Sequence, residues 1–500
     1  MHRLRLRGEP STSFNGYDNT VRGYYIENFG CRAAQADGSA IERQLANTGL
    51  RRVNATSEAD IVVLNTCTVT SAADQDARAA IRRTKREHPD AKILVTGCYA
   101  QRAPGEIAAL EGVTWVVGNS HKHQIGNIIA GSSAAYSGGF VPLNAVSGSF
   151  QGSDFAAKIY TSDIFAHTEL QSAPVFDAIE RTRPNLKIQD GCDNRCSFCV
   201  IPYVRGRSRS LKIDEILREI HVLEAAGYRE IVISGINLGR WGRDFVAQKR
   251  GFGALSSDSD TQARRFNAID RFVEALRVIL ERTSVEKIRL SSIEPMDWTD
   301  DLIALMASSK RIAKHAHVPL QSGSDRILRK MHRKYRPWHY AEKLERIRSA
   351  MPDAAIGADV MVGFPGESEE LFEESRAFIT QMPFTYLHVF TYSPRPGTPA
   401  AAMPDQVPLE LARERNRELR NLAAEKNLKF RRSFLGRTVE AITLAKGDSE
   451  MTEALSDNYL KVEICGQHAA NQWMRVRARV LTEHGISGDR ALEESGDRVK

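Results

Sequence analysis

The 500-residue sequence contains no apolar run of about 18 or more residues, so it encodes no membrane-spanning helix. The opening stretch MHRLRLRGEPSTSFNGYDNT is basic but has no apolar core, so it does not read as a secretory signal and is expected to be a frayed tail. There is no strong excess of either charge: Lys and Arg number 69 against 62 Asp and Glu, a net charge of +7. A balance that is only mildly basic permits an RNA partner without demanding one. Cysteine is scarce, at seven residues. An odd count with no signal argues against a disulfide framework and for a reducing compartment, the cytoplasm. The length exceeds what one core supports, so several domains are expected.

Six of the seven cysteines fall into two sets of three. Cys192, Cys196 and Cys199 form a C-x3-C-x2-C array within Asp190–Arg209, DGCDNRCSFCVIPYVRGRSR, directly after an apolar run (Leu186, Ile188) that reads as a strand. Iron–sulfur clusters take cysteine thiolates, and a cubane has four irons, so three ligands leave one iron open. An open position is built for chemistry, whereas a closed four-ligand site is usually structural. Zinc would need a fourth ligand, and His221, the nearest downstream histidine, lies beyond a helix start.

The second set is dispersed. GYYIENFGC, ADIVVLNTC and AKILVTGC each end a short apolar strand on a cysteine: Cys31, Cys67 and Cys98. Helical stretches (Ser39–Asn47, Ser71–Glu87) lie between them, which implies a parallel βα sheet. In such a sheet the strand C-termini share one edge, so the three cysteines can converge on a second cluster. A fourth unit, Val113–Gly118, carries no cysteine.

Residues 134–180 read as a linker with short strands at Phe140–Pro142 and Lys158–Tyr160. A second α/β series follows. Its strands are expected at Leu186–Gln189, Glu230–Ser234, Lys287–Ser291, Ala316–Leu320, Gly357–Val362 and Tyr386–Thr391. Its helices are expected at Ile213–Ala226, Ile269–Arg282, Asp300–Ala307, Pro337–Ala350 and Ser368–Gln381. Six such repeats suggest a partial barrel with its chemistry at the strand C-termini. Arg243–Asn267 reads as a loop insertion. Pro408–Arg432 reads as a long charged helix, more a solvated connector than an RNA contact. From Phe434 the pattern alternates, as in a small β-barrel of the kind that often binds oligonucleotides. Arg475, Arg477 and Arg479 would share one face of it, and Cys465 would be an ordinary core cysteine.

Three scattered cysteines, then C-x3-C-x2-C, then a small β-module together resemble the radical S-adenosylmethionine (SAM) methylthiotransferases over nearly the whole chain. The resemblance implies an auxiliary-cluster domain at 21–133, a partial (β/α)6 radical-SAM barrel at 181–405, a connecting helix at 406–432 and a TRAM β-barrel at 433–495. It implies two 4Fe-4S clusters, on Cys31, Cys67 and Cys98 and on Cys192, Cys196 and Cys199. It also implies a double use of SAM, one molecule giving a methyl group and another a 5′-deoxyadenosyl radical. Phe198 matches the aromatic of the cysteine motif. Gly235, Asn237, Glu294 and Gln321, from the strand-end motifs, are expected to hold SAM. The segment VIPYVRGRSRS is similar to the branch that acts on threonylcarbamoyladenosine in tRNA, and Arg207 and Arg209 are expected near that nucleoside's extra carboxylate. The isopentenyladenosine branch and the branch that modifies a ribosomal-protein aspartate are the alternatives. A non-catalytic iron–sulfur RNA-binding protein is the alternative outside the family. The expected partners are tRNA and an electron donor such as flavodoxin or ferredoxin. One departure stands out: Ala34 occupies the place where the family usually has Asn, while Asp37 matches an acidic position further on.

Overall fold

A computed structural model describes residues 22–131, 157–167, 170, 182–245, 271–447 and 450–491. The N-terminal tail, Phe140–Pro142 and most of the 243–267 insertion lie outside these residues. The first unit is a six-stranded parallel sheet: β1 (Gly23–Asn28), β2 (Arg51–Arg52), β3 (Ile61–Thr66), β4 (Lys92–Gly97), β5 (Val113–Gly118) and β6 (Lys158–Tyr160). The spatial order is β2-β1-β3-β4-β5-β6. Its central strand IVVLNT is buried at every position, as a parallel strand covered on both faces must be. Helices α1 (Arg32–Asn47), α2 (Ser71–Glu87) and α3 (Cys98–Arg102) follow β1, β3 and β4. β6 falls in the stretch read as a linker, yet it pairs with β5 and completes this sheet.

The second unit is the partial barrel. Its parallel strands are β7 (Asn185–Asp190), β9 (Glu230–Gly235), β10 (Lys287–Leu290), β11 (His315–His317), β12 (Ala355–Val362) and β13 (Tyr386–Thr391), with β8 (Arg209–Ser210) antiparallel on the β7 edge. The Ile288–Ile312 bridge joins β10 to the β11 segment. β11 is shorter than expected because Pro319, which has no N–H, follows closely. One apolar cluster, including Leu186, Ile188, Ile231, Ile233, Ile288, Ile356, Ala358 and Val360, fills the space between strands and outer helices. The alternate residues therefore face the barrel interior.

The helix at Leu409–Arg432 is not a solvated connector. Its Arg415 is buried and donates to Glu367 at 2.9 Å, and Lys426 donates to the carbonyls of Thr380 and Met382. The third unit is a closed barrel of β14 (Thr438–Gly447), β15 (Met451–Ser456), β16 (Lys461–Cys465), β17 (Trp473–Leu481) and β18 (Ile486–Arg490), ordered β14-β15-β16-β18-β17. Arg475, Arg477 and Arg479 are exposed while Val476 and Ala478 are buried, as alternation requires. The same rule corrects the reading of Cys465. Val462 and Ile464 point inward, so Cys465 is exposed.

Candidate active site

All three dispersed cysteines sit where a strand of the first sheet turns into the next segment. Cys31 caps α1 after β1, Cys67 follows β3, and Cys98 opens α3 after β4. These strands are adjacent, so their turns are neighbours. Cys31, Cys98 and Cys192 each follow a glycine at positive φ: Gly30 at 97°, Gly97 at 96° and Gly191 at 72°. The packing also requires Gly30, because a Cβ there would lie 2.9 Å from the Cys67 sulfur.

Cys192, Cys196 and Cys199 occupy the turn after β7, at the same end of the barrel as the other strand C-termini. The two cysteine sets meet across the domain junction: Cys98 packs with Val200 and Val204, one and five residues after Cys199. Cys67 and Cys98 are buried, Cys31 is exposed, and the other three are half-buried.

Polar hydrogens surround the sulfurs. The Cys192 sulfur accepts from the Asn194 N–H at 3.4 Å and from Asn237 Nδ2 at 3.6 Å. Cys196 accepts from Arg333 Nη1 at 3.3 Å, and Cys98 from Asn119 Nδ2 at 3.6 Å. Such donors are a standard means of tuning a cluster. Burial pushes the Cys67 thiol up to about 11 and the Cys199 thiol up to about 12, each with help from a neighbouring cysteine. Ligation therefore has to displace protons from these thiols. Among the described residues, neither trio brings its three sulfurs within 4.8 Å of one another. A single tetrahedral zinc with Zn–S of about 2.3 Å would set sulfurs roughly 3.8 Å apart.

The residues expected to hold SAM line the same end. Gly235 ends β9, where a Cβ would come within 3.0 Å of Gln189. Gln189 accepts from the Asn237 N–H at 2.7 Å. Glu294 pairs with Arg333, the same residue that donates to Cys196. Gln321 is buried at φ 67°, a strained conformation of the kind found at functional sites. Asn237 Oδ1 and Gln321 Oε1 are buried without a protein partner, which suits residues that bind a polar ligand. Phe198 packs against the barrel core, edge-on to Phe364 at 6.4 Å. These features fit two 4Fe-4S clusters and one SAM subsite.

Two polar networks clamp the first unit over the open side of the barrel. At the β7 edge, Asp37 of α1 accepts from Lys122 at 2.8 Å, from Arg205 at 2.9 Å and from Lys187. Asp190 accepts from Lys187 at 2.8 Å and Arg205 at 3.0 Å. Burial would raise the Asp37 carboxyl, but these three cations hold it well below the usual carboxylate range. At the β13 edge, Arg395 pairs with Asp74 and donates to Thr68, the residue after Cys67, at 2.9 Å. The sequence reading had not singled out these networks, Arg333 or Asn119. It had marked Arg207 and Arg209 in the segment after Cys199, but Arg207 is exposed and Arg209 donates to the Arg205 carbonyl at 2.7 Å. The junction is organised instead by Arg205. At the Asn-to-Ala34 departure, Asn65 donates to the Ala34 carbonyl at 2.6 Å.

Sequence profiles of two families match the chain: Uncharacterized protein family UPF0004 over residues 23–118 and the Radical SAM superfamily over residues 186–379. The chain is 36% identical over 441 residues to the threonylcarbamoyladenosine tRNA methylthiotransferase MtaB of Bacillus subtilis (strain 168), covering 87% of this chain and 89% of that protein. It is 33% identical to the MtaB of Aquifex aeolicus (strain VF5), covering 90% of this chain and 98% of that protein. It is also 32% identical to the tRNA-2-methylthio-N(6)-dimethylallyladenosine synthase of Thermobifida fusca (strain YX), covering 85% and 78%. Among solved structures, the radical S-adenosylmethionine methyltransferase TsrM from Kitasatospora setae, with cobalamin and a 4Fe-4S cluster bound, matches with a TM-score of 0.51. It is 14% identical and covers 76% of this chain and 74% of that one, a likeness of fold. With both cysteine sets at the strand ends and relatives of this similarity over most of their length, the chain belongs to the radical-SAM methylthiotransferase family.

Proposed function

We propose that the protein converts N6-threonylcarbamoyladenosine, 3′ of the anticodon in tRNA, to its 2-methylthio derivative. The observation that carries this reading is the meeting of two three-cysteine sets, one from each α/β unit, at a single junction. Relatives named for that reaction support the substrate.

Cys192, Cys196 and Cys199 would hold the cluster that binds SAM, and Cys31, Cys67 and Cys98 would hold the other. When bound, these groups supply reductive cleavage of SAM and the methylthio unit, chemistry that acid–base groups cannot provide at an aromatic C–H. The protein's own residues supply position. Arg333 joins Glu294 to the Cys196 sulfur. Asn237 donates to the Cys192 sulfur and leaves its carbonyl oxygen for the ligand. The Asp37 and Asp74 networks hold the two cysteine sets in register and cover the barrel's open side. A single-stranded tRNA loop can offer its base to such a junction without opening a duplex. Arg475 and Arg477, exposed on the last barrel, suit phosphate contacts. The setting is cytoplasmic, and a flavodoxin or ferredoxin supplies the electrons. Among the described residues, no helix is long and apolar enough to cross a membrane.

The test is nucleoside mass spectrometry of tRNA from a host lacking the activity, with and without the gene. A gain of 2-methylthio-threonylcarbamoyladenosine is expected. A gain of the isopentenyl counterpart would move the substrate to the other tRNA branch, that of the Thermobifida fusca relative.

A further inference from the structure

The barrel interior holds a polar layer that neither cysteine set uses. On β12 the core takes Ile356, Ala358 and Val360, so Asp359 faces inward. It stands between His317 of β11 and His388 of β13. His388 Nδ1 lies 3.2 Å from Asp359 Oδ1, and His317 Nε2 lies 3.4 Å from the same oxygen. His317 Nδ1 shares a 2.7 Å hydrogen bond with Ser292. Below this layer Tyr386 crosses Gly357, where a Cβ would strike its ring at 1.9 Å, and its hydroxyl bonds His315 at 2.7 Å. The layer is open: the His388 side chain is 61% exposed. His388 also borders a cavity of about 440 Å³ with Arg183, Tyr386 and Tyr459.

Positive charge exceeds negative around this layer. Glu230 alone serves two guanidiniums, Arg289 at 2.7 Å and Arg183 at 3.6 Å. Arg32, half-buried at the start of α1, has no carboxylate partner among the described residues. Its carbonyl accepts from Asn185 Nδ2 at 2.7 Å, which seats the start of α1 against β7 two residues from Arg183, and its charge acts on His315, Arg183 and Tyr386. Arg32 adjoins Cys31, and the Asp359 carbonyl accepts from the N–H of Gln321 at 2.8 Å.

We propose that Arg32 and the Asp359-held His388 form the recognition site for an anionic, hydroxyl-bearing amino-acid substituent on N6 of the target adenosine. This rests on the tRNA methylthiotransferase reading and deepens it. Arg32 takes the carboxylate, and the nitrogen of His388 not bound to Asp359 takes the hydroxyl or carbamoyl group. An isoprenoid substituent would leave these groups unpaired out of water, and sites built to hydrogen-bond a substrate reject analogues that lack the partner. The carboxylate site therefore lies on α1 and β13, not at Arg207 and Arg209.

The experiment uses the reconstituted full-length enzyme and anticodon stem-loops carrying threonylcarbamoyladenosine, its carboxylate methyl ester, or isopentenyladenosine. The wild type should prefer the acid over the ester by about 10–100-fold in kcat/KM, mainly through KM. Arg32→Met should bring that ratio close to one, and Arg32→Lys should restore part of it. His388→Leu should raise KM for the acid at least tenfold and narrow the gap to the isopentenyl substrate. Iron content is measured in every variant, so loss of the neighbouring cluster is distinguished from loss of recognition. An unchanged acid-to-ester ratio in Arg32→Met together with an unchanged KM in His388→Leu would overturn the proposal. So would His388-dependent binding of a non-iron metal at the His317, Asp359 and His388 trio. A wild type inactive on every stem-loop would instead overturn the reading beneath it.

Discussion

Asp37→Asn deletes one charge at the domain junction and keeps the side chain's shape. In the native network three cations, Lys122, Lys187 and Arg205, face two carboxylates, Asp37 and Asp190. The substitution leaves three cations on one carboxylate. Apart from Lys122, whose side chain is 18% exposed, every member is at most 2% exposed. Breaking a buried pair from one side typically costs about 3–5 kcal/mol, because the partner charge stays buried without compensation. A chain of several units does not unfold in two states, so the cost is read locally, in the docking of α1 on β7. Amides of Asn185–Asp190 should exchange roughly two to three orders of magnitude faster with deuterium. Lys122→Met makes the opposite prediction. It removes the cation whose pKa burial lowers to about 8, and it leaves two cations facing two carboxylates. It should change exchange by less than about tenfold, and it should recover part of the loss when combined with Asp37→Asn. Exchange in Asp37→Asn within threefold of wild type, or damage from Lys122→Met equal to that from Asp37→Asn, would refute the charge-count argument.

Other perturbations have equally direct expectations. Cys192→Ala should abolish reductive SAM cleavage, measured as 5′-deoxyadenosine, whereas Cys67→Ala should permit cleavage and block sulfur insertion; each should lose about half of the bound iron. The cationic partners hold Asp37 and Asp190 below the usual carboxylate range. Their stabilisation is therefore fully present above about pH 4 and is lost as pH falls further, so limited proteolysis at the junction should accelerate in acid and not between pH 6 and 8. Arg395→Met removes one of the two guanidiniums, with Arg102, that hold buried Asp74 and donate to Thr68, so the Cys67 turn should exchange at least tenfold faster. Arg333→Met removes the donor to Cys196 and strands Glu294; weaker SAM binding and a lowered reduction potential of that cluster are expected, checked by an EPR-monitored titration.

Much of the architecture was legible because each barrel unit pairs an apolar strand with an amphipathic helix. Leu186–Gln189 became Asn185–Asp190, and the Pro337–Ala350 helix kept both its ends. Strands with weak alternation escaped: Met451–Ser456 contains Thr452 and Glu453, and Ile486–Arg490 contains Gly488 and Asp489. The cysteine sets could be read because each cysteine marks a local turn. The clamps could not, since Arg205 meets Asp37 across 168 residues of chain and nothing local marks either as a partner. The same limit misdirected attention within one segment. Arg205, Arg207 and Arg209 look alike in sequence, and only packing seats Arg205 between two carboxylates.

The most direct test is a single-turnover reaction of the reconstituted enzyme with SAM, a low-potential reductant, a sulfur source and an anticodon stem-loop bearing threonylcarbamoyladenosine. The product should be heavier by one methylthio unit in place of hydrogen at C2, and it should disappear in both Cys67→Ala and Cys192→Ala. SAM cleavage without that product, from protein with both clusters intact, would contradict the account. So would product formed by the Cys67→Ala enzyme.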